Sequence, residues 1–182
     1  MEPTGLQALE VLISEHEIAK RVDEMAARIT ATIDCSEAVA VVALKGALIL
    51  AADLVRRLPA LRAIDFVQAR SYGHGTESSG EVRILRDVEM LLTGLDVLLI
   101  DDILDTGLTS ARLKSHLESQ GARAVHLVTL LDKPSRRRVE VQPLITGFTV
   151  PDLFVVGYGM DFAERYRDLP YIAVLSPGEE HA

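Results

Sequence analysis

The segment Val97-Leu-Leu-Ile-Asp-Asp-Ile-Leu-Asp-Thr-Gly-Leu-Thr109 gathers three carboxylates, a glycine and two threonines immediately after an apolar run. Carboxylates accept hydrogen bonds from a sugar diol and hold Mg²⁺ directly or through water. Thr106, Gly107, Leu108 and Thr109 open a helix, and a helix start offers unpaired amides and a partial positive charge to a phosphate monoester. Gly107 lets the backbone approach such a group closely, and the two hydroxyls add donors. A ligand carrying a ribose, a phosphate and a bound Mg²⁺ suits Asp101, Asp102, Asp105 and the residues after them. The plainer alternative is an acidic loop that caps a helix, because Asp and Thr are good N-cap residues.

Other reactive residue types form no comparable pattern. His16-Glu17 is half of a zinc-protease motif, but Lys20 stands where the second His is needed, and the five histidines show no metal-ligand spacing. Cys35, the only cysteine, precedes an apolar run and reads as buried filler. Arg136-Arg137-Arg138 reads as a solvated face, or otherwise a subunit contact. Gly157-Tyr-Gly159 lacks the third glycine of a dinucleotide fingerprint, and there is no P-loop.

The elements that must position this segment are legible from periodicity. Ser14 and Glu17 form a capping box, and Ile18, Val22, Met25, Ile29 and Ile33 share one stripe, so residues 14–33 are expected to be a helix. Ala38–Leu44, Val97–Ile100 and Ala124–Leu131 are continuous apolar runs of the kind buried on both faces of a parallel sheet. Helices are expected from Ala47 to Leu58 and from about Thr109 to Gln120. Residues 63–70 and 81–87 read as strands flanking a Gly/Ser-rich stretch, 71–80. The rhythm predicts an α/β fold with an open, mainly parallel twisted sheet flanked by helices. Short strands near 153–157 and 171–175 belong, with the N-terminal residues, to a small hood. One domain is expected over 1–182, with a core at about 34–142 and a hood from about 1–13 and 143–182.

Composition narrows the function. The chain has 182 residues, 48% of them apolar and only 4% aromatic, which suits α/β layering. Its net charge of −8 disfavours a general nucleic-acid binder. The longest apolar stretch is broken by Lys45-Gly46 and is too short to span a bilayer, and the N-terminus has no basic region of the signal-peptide kind. A cytoplasmic protein with no membrane partner is the expectation.

The acidic segment resembles the binding signature for 5-phosphoribosyl 1-diphosphate (PRPP) in the type I phosphoribosyltransferases. The rest of the chain resembles their hypoxanthine (hypoxanthine-guanine) branch, over nearly all of residues 8–176. The resemblance implies that Asp101 and Asp102 hold the ribose hydroxyls, although the family usually has Glu at position 101. It implies that Asp105 is the general base near the purine N7, and that residues 106–109 cradle the 5′-phosphate. Leu44-Lys-Gly-Ala47 is similar to the family's pyrophosphate loop, with Lys45 and Gly46 as contacts and a cis peptide between them. Arg70-Ser71-Tyr72 and the stretch after it resemble the family's flexible loop, which closes over the site; a solvated hairpin is the other reading. Lys133 matches a donor to the purine O6, Phe154 a stacking residue and Val155 a backbone reader of the base edge. Met160 and Asp161 lie near the base's 2-position. Asp161 matches a Mg²⁺-associated carboxylate, with Asp101 and Asp102 as further metal candidates, and Arg167 matches a pyrophosphate contact.

The resemblance therefore implies transfer of a phosphoribosyl group from PRPP to a 6-oxopurine, with Mg²⁺ as cofactor and a homodimer or homotetramer as the assembly. A xanthine-preferring enzyme and a non-catalytic PRPP- or nucleotide-sensing regulator of the same fold are the alternatives. A regulator that controls nucleic acid would be expected to carry a basic surface or an added domain, and the net charge of −8 disfavours it.

Overall fold

The computed structural model of the protein describes residues 9–72 and 81–175. Its elements run β1 (Glu10–Ile13), α1 (Glu15–Thr32), β2 (Ala38–Leu44), α2 (Leu48–Val55), β3 (Ala63–Tyr72) and β4 (Glu81–Arg86). They continue with β5 (Asp96–Leu104), α3 (Leu108–Ser119), β6 (Ala124–Asp132), β7 (Ile145–Thr149), β8 (Val155–Val156) and β9 (Ile172–Val174). The main sheet has six strands in the order β4-β3-β2-β5-β6-β7. All neighbours are parallel except the β3–β4 pair. A three-stranded antiparallel sheet, β1-β9-β8, brings residues 10–13 beside 172–174 and 155–156. This is the expected mainly parallel fold with a small hood.

The apolar runs fold as central strands because each of their faces meets a helix layer. Ala38, Ala40 and Val42 of β2 and Leu98 and Ile100 of β5 pack with α1 and α2. Val39, Val41, Val97 and Leu99 alternate to the other face, against Leu113 and Leu117 of α3. Each fully buried Leu or Ile contributes about 1.5–3 kcal/mol by leaving water. The capping box on α1 is present: Ser14 Oγ accepts from the Glu17 amide, and the Ser14 amide donates to the Glu17 carboxylate at 2.9 Å. Cys35 is buried and burial raises its thiol pKa, in keeping with a packing role. Among the described residues, no helix is long and apolar enough to cross a membrane.

Several boundaries differ from expectation. α2 ends at Val55 because Arg57 and Leu58 bond back only three residues, to Leu54 and Val55, which tightens the chain out of the α-helix. β3 reaches Tyr72, since Ser71 and Tyr72 pair with Val82 and Glu81 of β4. Ser71 and Tyr72 therefore lie on a strand and not in the flexible loop expected over 71–80; residues 73–80 lie outside the described residues. β7 extends the main sheet beside β6, so the core does not stop at 142 as the sequence suggested. Its shortness and the central Gly147 leave little strand signal in the sequence.

Candidate active site

The site forms where β5 runs into α3. β5 does not end at Ile100. Asp101 pairs with Thr129, Ile103 with Leu131 and Leu104 with Asp132, so the first two acids stand on a paired strand and not on a loop. Cross-strand pairing with β6 overrides the poor strand propensity of Asp. Asp105 and Thr106 then turn the chain, and Gly107 is the N-cap of α3 with φ +83. No side chain caps this helix; the closest substitute is a long 3.4 Å contact from the Leu108 amide to Thr106 Oγ1. Its first turn thus faces the cavity without the carboxylate cap that the plainer sequence reading required. A Cβ on Gly107 would lie 2.8 Å from the Val139 carbonyl oxygen, so only glycine allows the segment after β6 to lie against the turn.

A cavity of about 450 Å³ opens over this turn. Among the predicted residues, Gly46, Asp101, Asp102, Asp105, Thr106, Gly107, Leu108 and Thr109 line it. Gly46 belongs to the loop between β2 and α2, which contains a cis peptide. The cis bond joins Leu44 and Lys45, one residue earlier than the Lys45–Gly46 bond expected. This loop lies close against the acids: a Cβ on Gly46 would fall 1.9 Å from Asp102 Oδ2, and one on Gly159 would fall 2.1 Å from the Gly46 carbonyl oxygen.

The three acids have different surroundings. Asp101 is buried; its Oδ2 accepts from Ser110 Oγ at 3.0 Å and its Oδ1 from the Asp102 amide at 3.1 Å. Burial, reinforced by the neighbouring Asp102 charge, holds Asp101 well above the usual carboxylate range. Burial also raises Asp102. Asp105 Oδ1 lies 3.0 Å from Arg136 Nε without an aligned hydrogen bond and accepts from no other group. Arg136 Nη1 reaches Asp152 Oδ1 at 3.2 Å.

Lys45, Lys133, Phe154, Val155, Met160, Asp161 and Arg167 lie outside this cavity. Lys133 is buried at the end of β6; its amide donates to the Leu104 carbonyl at 3.0 Å and its Nζ donates to the Leu153 carbonyl. Burial lowers its pKa, and the nearby Asp105 and Asp152 oppose that shift. Phe154 is 46% exposed and meets Phe162 edge to face at 5.6 Å. Val155 and Met160 are buried. Arg167 donates to the Gly159 carbonyl at 2.8 Å and pairs with Asp161 at 2.7 Å and Glu164 at 3.2 Å; Glu164 also binds Lys45 at 3.0 Å. Positive φ at Tyr158, Ala163, Glu164 and Tyr166 folds this segment onto the loop of Lys45. Lys45, Asp161 and Arg167 therefore form one ion-pair cluster around Glu164.

Sequence reasoning missed three contributors. Arg136 and Arg138 are exposed, as a solvated face would be, but both also line the cavity, while the half-buried Arg137 pairs with Asp132. Ser110 holds Asp101. Nothing in a run of three arginines or in a serine one turn into a helix separates these roles from ordinary surface positions. For Mg²⁺, the donor chemistry fits in part. Asp102 presents a carboxylate to the cavity, whereas Asp101 is engaged by Ser110 and Asp161 by Arg167. Among the described residues no cluster of three or more His, Cys, Asp or Glu could hold a metal by itself.

The parallel sheet thus carries at its carboxyl edge a cavity of about 450 Å³, floored by the uncapped start of α3 and lined by three acids, the place where open α/β sheets take their ligands. The family model for the phosphoribosyl transferase domain matches residues 10–163, and the chain belongs to that family. The chain is 47% identical to a hypoxanthine-guanine phosphoribosyltransferase of Bacillus subtilis, over 92% of this chain and 93% of that protein. It is 42% identical to one from Staphylococcus aureus, over 92% and 94%. The crystal structure of a hypoxanthine phosphoribosyltransferase from Staphylococcus aureus superimposes with a TM-score of 0.88 at 41% identity, covering 93% of this chain and 92% of that one. The chain is a phosphoribosyltransferase.

Proposed function

We propose that this enzyme transfers the 5-phosphoribosyl group from PRPP to hypoxanthine or guanine, giving the nucleoside monophosphate and pyrophosphate. The observation that carries the reading is the uncapped start of α3 beneath three acids in one cavity. The names of the relatives support a 6-oxopurine as acceptor, and the xanthine and regulator readings draw no support from them.

The purine N9 attacks C1 of the ribose as the bond to pyrophosphate breaks. Residues 106–109 hold the 5′-phosphate with amides and hydroxyls, which fixes the ribose against the strand end. Asp102 accepts from the ribose hydroxyls. Asp105, whose Oδ1 accepts no hydrogen bond, takes the purine proton in this reading, and such acid–base help is typically worth about 10²–10⁴-fold. Lys133 has three N–H donors; with one on the Leu153 carbonyl it still donates to a purine O6, which favours oxopurines over adenine. Gly46 and the loop around it face the leaving pyrophosphate, and Lys45 and Arg167 reach it by exchanging Glu164 and Asp161 for phosphate oxygens. Phe154 stacks on the base while Val155 and Met160 shape its edge. Bound Mg²⁺, held by Asp102 and the diphosphate with Asp161 nearby, would supply charge neutralisation for the leaving group.

The enzyme acts in the cytoplasm as a homodimer or homotetramer, which light scattering tests directly. Incubation with PRPP, Mg²⁺ and each base in turn tests the reaction. Nucleotide formation with hypoxanthine or guanine is expected, with little from adenine. Formation from none of the oxopurines contradicts the reading.

A further inference from the structure

The acids of the cavity create an electrostatic difficulty for a ligand that enters phosphate first. A phosphate monoester carries about −1.5 to −2 charge at neutral pH, and the partial charge of a helix start is only about +0.5. Full cations on the cavity wall must supply the rest. Lys133, Lys45 and Arg167 do not line it, and Arg136, which does, is committed to Asp105 and Asp152. Arg138 also lines the cavity, is solvent-exposed and forms no salt bridge among the described residues.

Its position relative to the cradle is fixed by backbone bonds. The amides of Arg138 and Val139 both donate to the Thr106 carbonyl, at 2.9 and 3.2 Å. The preceding Arg137 is largely buried, pairs with Asp132, and would lie 3.2 Å (Cδ) from a Cβ on Gly107. The turn after β6 is thus bound to the α3 N-cap from two sides, and Arg138 moves with the residues that hold the phosphate.

We propose that Arg138 is the counter-charge for the ligand's 5′-phosphate, supplied from outside the acidic signature. The inference rests on the function proposed above. It places the positive end of the site on two separate chain segments, the α3 N-terminus and the turn after β6, joined through the Thr106 carbonyl.

The test compares wild type with Arg138→Gln and Arg138→Lys, using inosine 5′-monophosphate in calorimetry and steady-state KM values for PRPP and hypoxanthine. Arg138→Gln is expected to weaken the nucleotide, and to raise the PRPP KM, by about five- to tenfold, a reduced effect for a partly screened charge-assisted contact. The hypoxanthine KM should stay within about twofold, because the base does not meet the phosphate end. Arg138→Lys should recover most of the loss, and about 0.5 M salt should shrink the wild-type advantage. A nucleotide affinity within about twofold of wild type overturns the proposal, as does an equal loss for base and PRPP. Wild type that binds no nucleoside monophosphate at all would overturn the functional reading itself, which is a distinguishable result.

Discussion

The two ends of the site are built in opposite ways. The phosphate end comes mainly from one continuous stretch, Asp101 to Ser110, in which a paired strand runs through a two-residue turn into an uncapped helix. The base end is assembled from the end of β6, the residues before β8 and the folded segment 157–167, which are far apart in the chain. Every predicted residue from Asp101 to Thr109 lines the cavity; Lys133, Phe154, Val155, Met160 and Asp161 do not. The difference teaches that the anion cradle is pre-formed by local geometry, whereas the base site depends on how the hood segments sit against the core. Lys133, held by a backbone carbonyl of one of those segments, is the joint between the two.

Substitutions sharpen this contrast. The largest effect is expected at Asp105, which adjoins the turn at Thr106-Gly107 and to which we assign the purine proton. Asp105→Asn should lower kcat by at least about tenfold while PRPP still binds; a variant within about threefold of wild type would remove Asp105 from proton transfer. Lys133→Met should cut kcat/KM for hypoxanthine about tenfold or more with little change in the PRPP KM. Equal losses for base and PRPP would break the division between the ends. Gly107→Ala forces a side chain into positive φ and against the Val139 carbonyl, and should weaken nucleoside monophosphate binding by about tenfold, with a lower Tm. Unchanged binding would show that the cradle is less constrained than the contact implies.

The smallest effect concerns stability. Asp101 has a folded-state pKa above its unfolded value, so the folded state binds its proton more tightly. The charged carboxylate therefore costs stability above that raised pKa, and the cost disappears as pH falls below the ordinary Asp value. Asp101→Asn, which keeps an oxygen for Ser110, should raise Tm by a few degrees at neutral pH, and the gain should vanish at about pH 3.5. A gain independent of pH would contradict burial of the charge as its cause.

The same contrast explains what was legible in the sequence. The capping box at Ser14, the apolar runs of β2, β5 and β6 and the turn at Thr106-Gly107 are local patterns, and they appear where periodicity put them. β5 overran its predicted end because the partner strand, not the composition of Asp101 and Asp102, decides pairing there. β7 and the cavity positions of Arg136 and Arg138 were not legible, because they exist only once β6 and α3 are in place. The base-end residues were reached by family resemblance, since nothing local distinguishes Phe154 or Val155 from ordinary packing positions.

The central claim is that the turn from Asp101 to Thr109 grips a phosphorylated ribose. A crystal structure of the enzyme with inosine 5′-monophosphate tests it most directly. The account predicts the phosphate oxygens within hydrogen-bond distance of the amides of residues 106–109 and the ribose hydroxyls facing Asp102. A nucleotide bound elsewhere, with that turn left empty, would contradict it.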